Sequence, residues 1–210
     1  MKNKILIAAF AAAACVSVGS SEGLLLGIEG DYSFKSSLTA KWSEDGDSGT
    51  VKDHKGQAAI GFKAGYDFGI ARAYGEYMYD FKVTKNGSDE DGNFKHSWNK
   101  HSLIVGGDFT PEITNGFKLV AGAYTGVSFL KYKIYSYDES DGSSDSLSKT
   151  LPGWVIGAML GGLYSFDEHN EIEFGYKADY TRYKASKLGE DVDKVYETNH
   201  GLYLGYNFKF

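Results

Sequence analysis

The chain has 210 residues, with 27 glycines, 16 tyrosines and 13 phenylalanines against two prolines, and a formal net charge of −6. That acidity argues against nucleic acid as a partner, a single cysteine excludes a disulfide framework, and no stretch approaches the roughly 20 uncharged apolar residues of a transmembrane helix. A glycine- and aromatic-rich chain with no helical period, no proline-rich linker and no shift in composition predicts one all-β domain.

At the N-terminus Lys2 and Lys4 precede an apolar run at 5–14 and small residues suited to cleavage near Gly19 or Ser20. This reads as an export signal over 1–20, removed to leave a mature domain over 21–210. Its loss takes away two lysines and no acid, which moves the net charge from −6 to −8. Cys15 lies within the signal, so the mature chain has no thiol chemistry. Ala12, Ala13 and Ala14 before it also loosely match a lipoprotein processing site, at which Cys15 would be acylated instead. A membrane barrel needs no such second anchor.

Alternating apolar and polar runs follow at 24–34, 57–67, 70–83, 98–109, 117–135, 151–166, 171–183 and 199–210. They predict eight strands. The connectors alternate too: 68–69, 110–116 and 167–170 are short, whereas 35–56, 84–97, 136–150 and 184–198 are long and polar. Short turns on one rim and long loops on the other is the layout of an antiparallel up-and-down transmembrane β-barrel with short periplasmic turns and long extracellular loops.

One face of each strand is apolar, as in Leu26, Ile28, Tyr32 and Phe34, or Ile172, Phe174, Tyr176 and Tyr180. The other holds glycines and nearly all the charges. Alternation alone also fits a lipocalin-like soluble barrel, with the apolar face inside. Volume decides between them. The interior of about eight strands is only just wide enough for side chains, and so many aromatic rings would not fit there. The apolar face therefore points to lipid, with the rings near strand ends as interfacial girdles, and Gly61, Gly106, Gly126, Gly157 and Gly161 line a narrow polar lumen. A β-sandwich would not call for this alternation of connector length. Counting back from Leu103, Trp98 points inward unless a bulge intervenes.

The last strand sets Leu202, Leu204, Tyr206, Phe208 and the terminal Phe210 on one face. With the export signal, the amphipathic strands and the long outer loops, this resembles the small outer-membrane barrels of the opacity-protein and surface-antigen type, akin to the transmembrane domain of outer membrane protein A. The resemblance covers about 24–210 and lies in architecture rather than in an internal motif. It implies a surface-exposed integral protein of the Gram-negative outer membrane whose loops touch host surfaces, phage or antibodies. It also implies that the C-terminal residues are an assembly signal read by the barrel assembly machinery. The peptidoglycan-binding domain of outer membrane protein A is not expected here. Closure requires the last strand to pair with 24–34 so that no edge is left in lipid.

Thirteen charges share the inward face: Glu29, Asp31, Lys63, Arg72, Glu76, Asp80, Lys82, Asp108, Lys118, Glu173, Lys177, Asp179 and Lys209. Six basic against seven acidic groups predict a lumen plugged by ion pairs rather than an ion-selective pore, with Glu29, Lys63, Arg72, Glu76, Asp80, Lys118, Glu173 and Lys177 as the network. A narrow gated, porin-like channel is the alternative. A barrel enzyme is less favoured: His54, His96, His101 and His200 map to the external rim, and none provides the His-x-Ser triplet of the lipid A deacylase type. His101 and His200 face outward from strands that are not adjacent, a poor geometry for metal chelation.

The acidic loop clusters Glu44, Asp45 and Asp47; Asp89, Glu90 and Asp91; Asp138, Glu139 and Asp141; and Glu190, Asp191 and Asp193 lack the spacing of a calcium loop. They are expected to stay solvated and to repel the anionic cell surface. The reading is thus of a monomer in outer-membrane lipid, with no enzyme activity, no cofactor and no bound metal, acting through its loops in adhesion or surface contact or serving as an envelope-structural protein.

Overall fold

The computed structural model describes residues 22–44, 47–89, 92–138, 144–187 and 192–210. The expected signal and Cys15 lie outside these residues, as do several of the acidic loop residues, among them Asp45, Glu90, Asp91, Glu139, Asp141, Glu190 and Asp191. The elements are β1 (Gly23–Glu44), β2 (Asp47–Asp67), β3 (Ala71–Asp89), β4 (Gly92–Phe109), β5 (Glu112–Thr114), β6 (Phe117–Asp138), β7 (Ser144–Ser165), β8 (Asn170–Tyr183), a 3-10 turn (Ala185–Lys187) and β9 (Val192–Lys209). The eight long strands match the eight alternating runs; β5 is a three-residue strand inside the 110–116 connector, paired only with the start of β6.

All pairings are antiparallel; apart from β1 with β9 and β4 with β6 they join neighbours in sequence, and these two complete the ring. β1 pairs with β9, from Leu25 opposite Lys209 to Trp42 opposite Val192, and the Phe210 amide donates to the Leu24 carbonyl at 3.0 Å. β4 pairs with β6 along its whole length, Gly92 opposite Asp138 to Phe109 opposite Ala121. No edge is left around the barrel wall, as a lipid environment demands.

Short turns connect the strands at one rim. Gly69 and Gly116 hold positive φ (87° and 77°) there, a backbone region that glycine enters without a Cβ penalty. Asp67 fixes the first turn by accepting from the Gly69 amide at 2.7 Å, and Asp167 caps the third by accepting from the amides of His169 and Asn170.

At the other rim the strands run on. β1, β6 and β7 each have 22 residues, about 70 Å at roughly 3.3 Å per residue, whereas about ten tilted residues cross the apolar layer. The expected long loops are thus mostly paired hairpin. They were illegible because above the membrane both faces meet water, so the period-two pattern disappears while the backbone pairing continues. Register shifts at Ser33/Ser36 and Asp80/Val83 also break the phase where each hairpin leaves the belt.

Above the belt the barrel splits into two lobes. Pairing of β2 with β3 ends at Ala59 and Asp80, and that of β7 with β8 at Gly153 and Tyr183. One lobe is the extension of β9, β1 and β2; the other is the extension of β3, β4, β6 and β7. An apolar cluster of Leu38, Trp98, Leu130, Leu151, Tyr183 and Val195 packs between them. Leu130 and Leu151 are 0% and 1% exposed, so the two sheets face each other across a dry seam as in a sandwich.

Candidate functional site

The outer wall is an apolar belt. Leu26, Phe62, Tyr77, Leu103, Val127, Ile156, Phe174, Leu202 and Leu204 are exposed on strands around the whole barrel. Soluble proteins do not expose a contiguous patch of this extent, and a closed sheet with an apolar exterior is the way strands satisfy their backbone in lipid. Tyrosines mark the upper border, where Tyr77 shares a hydrogen bond with His101 Nδ1 (2.7 Å) and Tyr176 with His200 Nδ1 (2.8 Å). Both histidines thus sit on the outward face, in an aromatic girdle. The chain is an outer-membrane-type β-barrel.

Inside, charges and apolar groups share the space. Tyr74, Met78, Ile104, Tyr124, Met159, Leu163 and Tyr203 form one buried cluster, so the lumen is less polar than alternation implies. Inward glycines make room for these rings: a Cβ at Gly106 would strike the Tyr74 ring, and one at Gly157 the Tyr124 ring. Large residues from one strand fill the space left by glycine on the next, which lets eight strands close around a packed interior.

The ionic groups stack in three tiers. At the periplasmic end Arg72 bridges Asp67 (3.2 Å), Glu173 (3.3 Å) and Glu171, and Lys209 adds Glu171 (3.0 Å) and Asp67 (3.7 Å). In the middle Glu29 accepts from Lys63 (3.1 Å) and Lys177 (2.5 Å), and Lys177 also faces Asp31 (3.4 Å) and Glu76 (3.7 Å). Near the extracellular end Lys100 lies between Glu197 (3.3 Å), Asp80 (3.6 Å) and Asp179 (3.9 Å). Glu197 is further held by Tyr183 (2.6 Å) and Ser36 (2.8 Å).

Of the eight network residues expected from sequence, seven enter these tiers. Lys118 points inward but donates instead to the Gly69 carbonyl at the periplasmic turn (3.5 Å). Arg72 serves the lower tier, and Glu76 faces Lys177 in the middle one. Lys82 is exposed rather than inward, because the register shift between Asp80 and Val83 turns it out of phase.

Sequence reasoning missed Asp67, Lys100, Glu171 and Glu197. The first three have inward parity and could have been found: Lys100 shares its phase with Trp98, and the other two sit at strand ends. Glu197 lies within a stretch read as loop, where parity gave no signal. With these included and Lys82 removed, ten inward carboxylates face six cations among the described residues, so the near balance of charge inferred from sequence does not hold. Both carboxylate oxygens of Glu76 and of Asp108 lack a hydrogen-bond partner among the described residues.

Between the lobes Asp53 accepts from Lys85 (2.7 Å) and His96 Nδ1 (3.1 Å), and His96 also meets the Tyr132 hydroxyl (3.0 Å). Burial pushes the Asp53 carboxyl up, but the hydrogen bonds from Lys85 and His96 outweigh it and hold Asp53 below the usual carboxylate range. Burial with the nearby Asp53 charge pushes the Tyr132 hydroxyl up to about 12. Lys55 and Gln57 donate across the same seam to the carbonyls of Thr84 (2.5 Å) and Phe81 (2.9 Å). Among the described residues no group of three or more His, Cys, Asp or Glu is placed to hold a metal ion.

No protein-family model and no curated protein matches the chain. Among solved structures it is similar to Ail, the attachment invasion locus protein of Yersinia pestis, at 20% identity over 89% of this chain and 99% of that one, with a TM-score of 0.44. That protein is seen in complex with the heparin analogue sucrose octasulfate. Outer membrane protein H (OprH) from P. aeruginosa is 21% identical over 90% of this chain and 99% of that one, with a TM-score of 0.43. Outer membrane protein OprG from Pseudomonas aeruginosa is 14% identical over 90% and 96%, also at 0.43. With TM-scores below 0.5, these likenesses add nothing to what the closed sheet and its apolar exterior already show.

Proposed function

We propose that this is a non-enzymatic integral protein of the bacterial outer membrane that acts by surface contact through its extracellular lobes, above a lumen that does not conduct. The observation that carries this reading is the seal between the lobes. Trp98, Leu130 and Leu151 close the extracellular mouth with dry packing, and the Arg72 tier ties β2, β3 and β8 together at the periplasmic end. A path blocked at both ends leaves the projecting hairpins as the part that meets other molecules.

Exchange of the 139–143 and 188–191 tips for Gly/Ser tests surface contact. Binding of whole cells to host-cell monolayers or extracellular matrix should fall while the amount of folded barrel stays the same. Unchanged binding, together with an envelope weakened by deletion of the whole protein, favours the envelope-structural role. The signal over 1–20 and the assembly role of Leu202, Leu204, Tyr206, Phe208 and Phe210 belong to the same proposal, and mass spectrometry of the mature N-terminus separates cleavage from acylation at Cys15.

The excess of inward carboxylates favours a second reading, a narrow cation-selective channel. Planar-bilayer recording distinguishes the two: steady cation conductance that changes on Glu76→Ala or Arg72→Ala overturns the closed lumen.

A further inference from the structure

Two tyrosine rings meet on the outer wall above the aromatic girdle. β8 and β9 pair as far as Tyr183 opposite Val195, with Tyr180 opposite Thr198 and Arg182 opposite Tyr196, so Tyr180 and Tyr196 are diagonal neighbours on the outward face. Diagonal residues of adjacent strands lie about 7–8 Å apart, within reach of aromatic side chains. Here the rings close the gap: their centroids are 5.8 Å apart and their planes are inclined by only 31°. Girdle tyrosines such as Tyr79 and Tyr176 contact Phe81 and His200 instead.

The height of the pair makes it accessible. Tyr176 and His200 share the hydrogen bond that marks the upper border of the belt, and Tyr180 and Tyr196 each stand four residues further out along the same two strands. At about 3.3 Å per residue and a tilt of about 40°, that is a rise of roughly 10 Å, which takes both phenols out of the hydrocarbon. Tyr180 is 37% exposed and Tyr196 half-buried, so a water-borne oxidant reaches them. Tyr74, Tyr124 and Tyr203 lie buried in the lumen, out of its reach.

We propose that Tyr180 and Tyr196 form an oxidative cross-linking site, at which a one-electron oxidant of the haem-peroxidase class, fed by hydrogen peroxide, couples the two rings into dityrosine. Each phenol gives up one electron and its hydroxyl proton, leaving two phenoxyl radicals. Their unpaired electrons pair as a carbon–carbon bond between the ring positions ortho to the two oxygens, and the two ortho hydrogens then move as protons to the phenolic oxygens, which restores both rings. The two electrons and two protons given up reduce one hydrogen peroxide to two waters. The new bond ties the end of β8 to β9 where β8 stops and β7 and β9 run on, the place from which this part of the wall frays.

The test treats the folded protein in zwitterionic micelles with a haem peroxidase and hydrogen peroxide, after a heat-dependent shift in electrophoretic mobility has verified the barrel, and then digests it with trypsin. The expected product is peptide 178–182 joined to peptide 195–209 through Tyr180 and Tyr196, with two hydrogens lost and dityrosine fluorescence in the monomer band. Ring contact raises the local concentration of the partner to about the millimolar range or above, so at micromolar protein this link should exceed links between chains at least about 100-fold. Boiling in detergent before oxidation, which separates the strands, should remove that excess. Y180F and Y196F should each abolish the product, whereas Y135F, at an exposed tyrosine of the other lobe, should leave it unchanged. Absence of the joined peptides from wild type while Tyr135 is oxidised in the same sample overturns the proposal even if both variants fail to fold. So does a fractional yield that rises with protein concentration, which makes the link one between chains.

Discussion

Arg72→Met removes the one guanidinium of the lower tier while keeping a side chain of similar length. Arg72 is 1% exposed and its partners Asp67, Glu171 and Glu173 are 0%, 0% and 1% exposed, so the variant strands three buried carboxylates. Breaking a buried pair by deleting one partner costs about 3–5 kcal/mol, because the remaining charge has lost its compensation. Lys209 still reaches Glu171 (3.0 Å) and Asp67 (3.7 Å), which places the expected loss near the lower end, about 3 kcal/mol. With a urea slope of about 2 kcal/mol/M, the unfolding midpoint in lipid vesicles should fall by about 1.5 M, read by tryptophan fluorescence and by the heat-dependent mobility shift. Arg72→Lys should lose less, since it keeps the charge but not the fork that spans two strands. Neutralising the stranded acids in R72M/E171Q/E173Q should restore part of the midpoint. A midpoint for Arg72→Met within about 0.3 M of wild type refutes the claim that this tier bears on stability.

Trp98→Ala should cost about 3–5 kcal/mol through the cavity left between the lobes, and should speed protease nicking of the hairpins before the barrel itself is cut. Because the Asp53 carboxyl is held low in the folded state, it contributes stability above its unfolded value near 4, and that contribution is lost as pH falls through the depressed folded value. Hydrogen-exchange protection at 81–87, taken relative to the intrinsic exchange rate at each pH, should therefore fall below about pH 4 in wild type but stay level in Asp53→Asn. The effect should stay under about 1 kcal/mol, since Lys85 is 44% exposed and solvent screens the pair. Phe210→Ala should reduce the amount of assembled barrel in cells more than it alters surface binding per folded molecule, checked by the fraction of heat-modifiable protein in the membrane.

Period two carried the wall of the barrel. Lipid lies on one side of each strand and a packed lumen on the other, so Leu26, Ile28, Tyr32 and Phe34 alternate visibly with Glu29 and Asp31, and the short connectors at 68–69, 110–116 and 167–170 set off the turns. The pairing of the last strand with the first followed from the requirement that no edge stay in lipid, and Trp98 was placed inward by counting alone. The paired hairpins left no such trace, since residues such as Lys52, Asp53 and His54 meet water or another hairpin on either face.

The sequence by itself determined the fold class, the lipid-facing side and most of the inward charges, because each rests on a local alternation that water and lipid impose on every strand separately. Only the tertiary structure decided which charges meet. Closure brings Arg72 of β3 against Glu171 of β8 and Lys100 of β4 against Glu197 of β9, across separations of 99 and 97 residues that no local pattern encodes. It also decided which way Lys82 faces. A register shift of the chain at 80–83 turns Lys82 outward and gathers it with Lys95 and Lys133 on one face of an otherwise acidic protein.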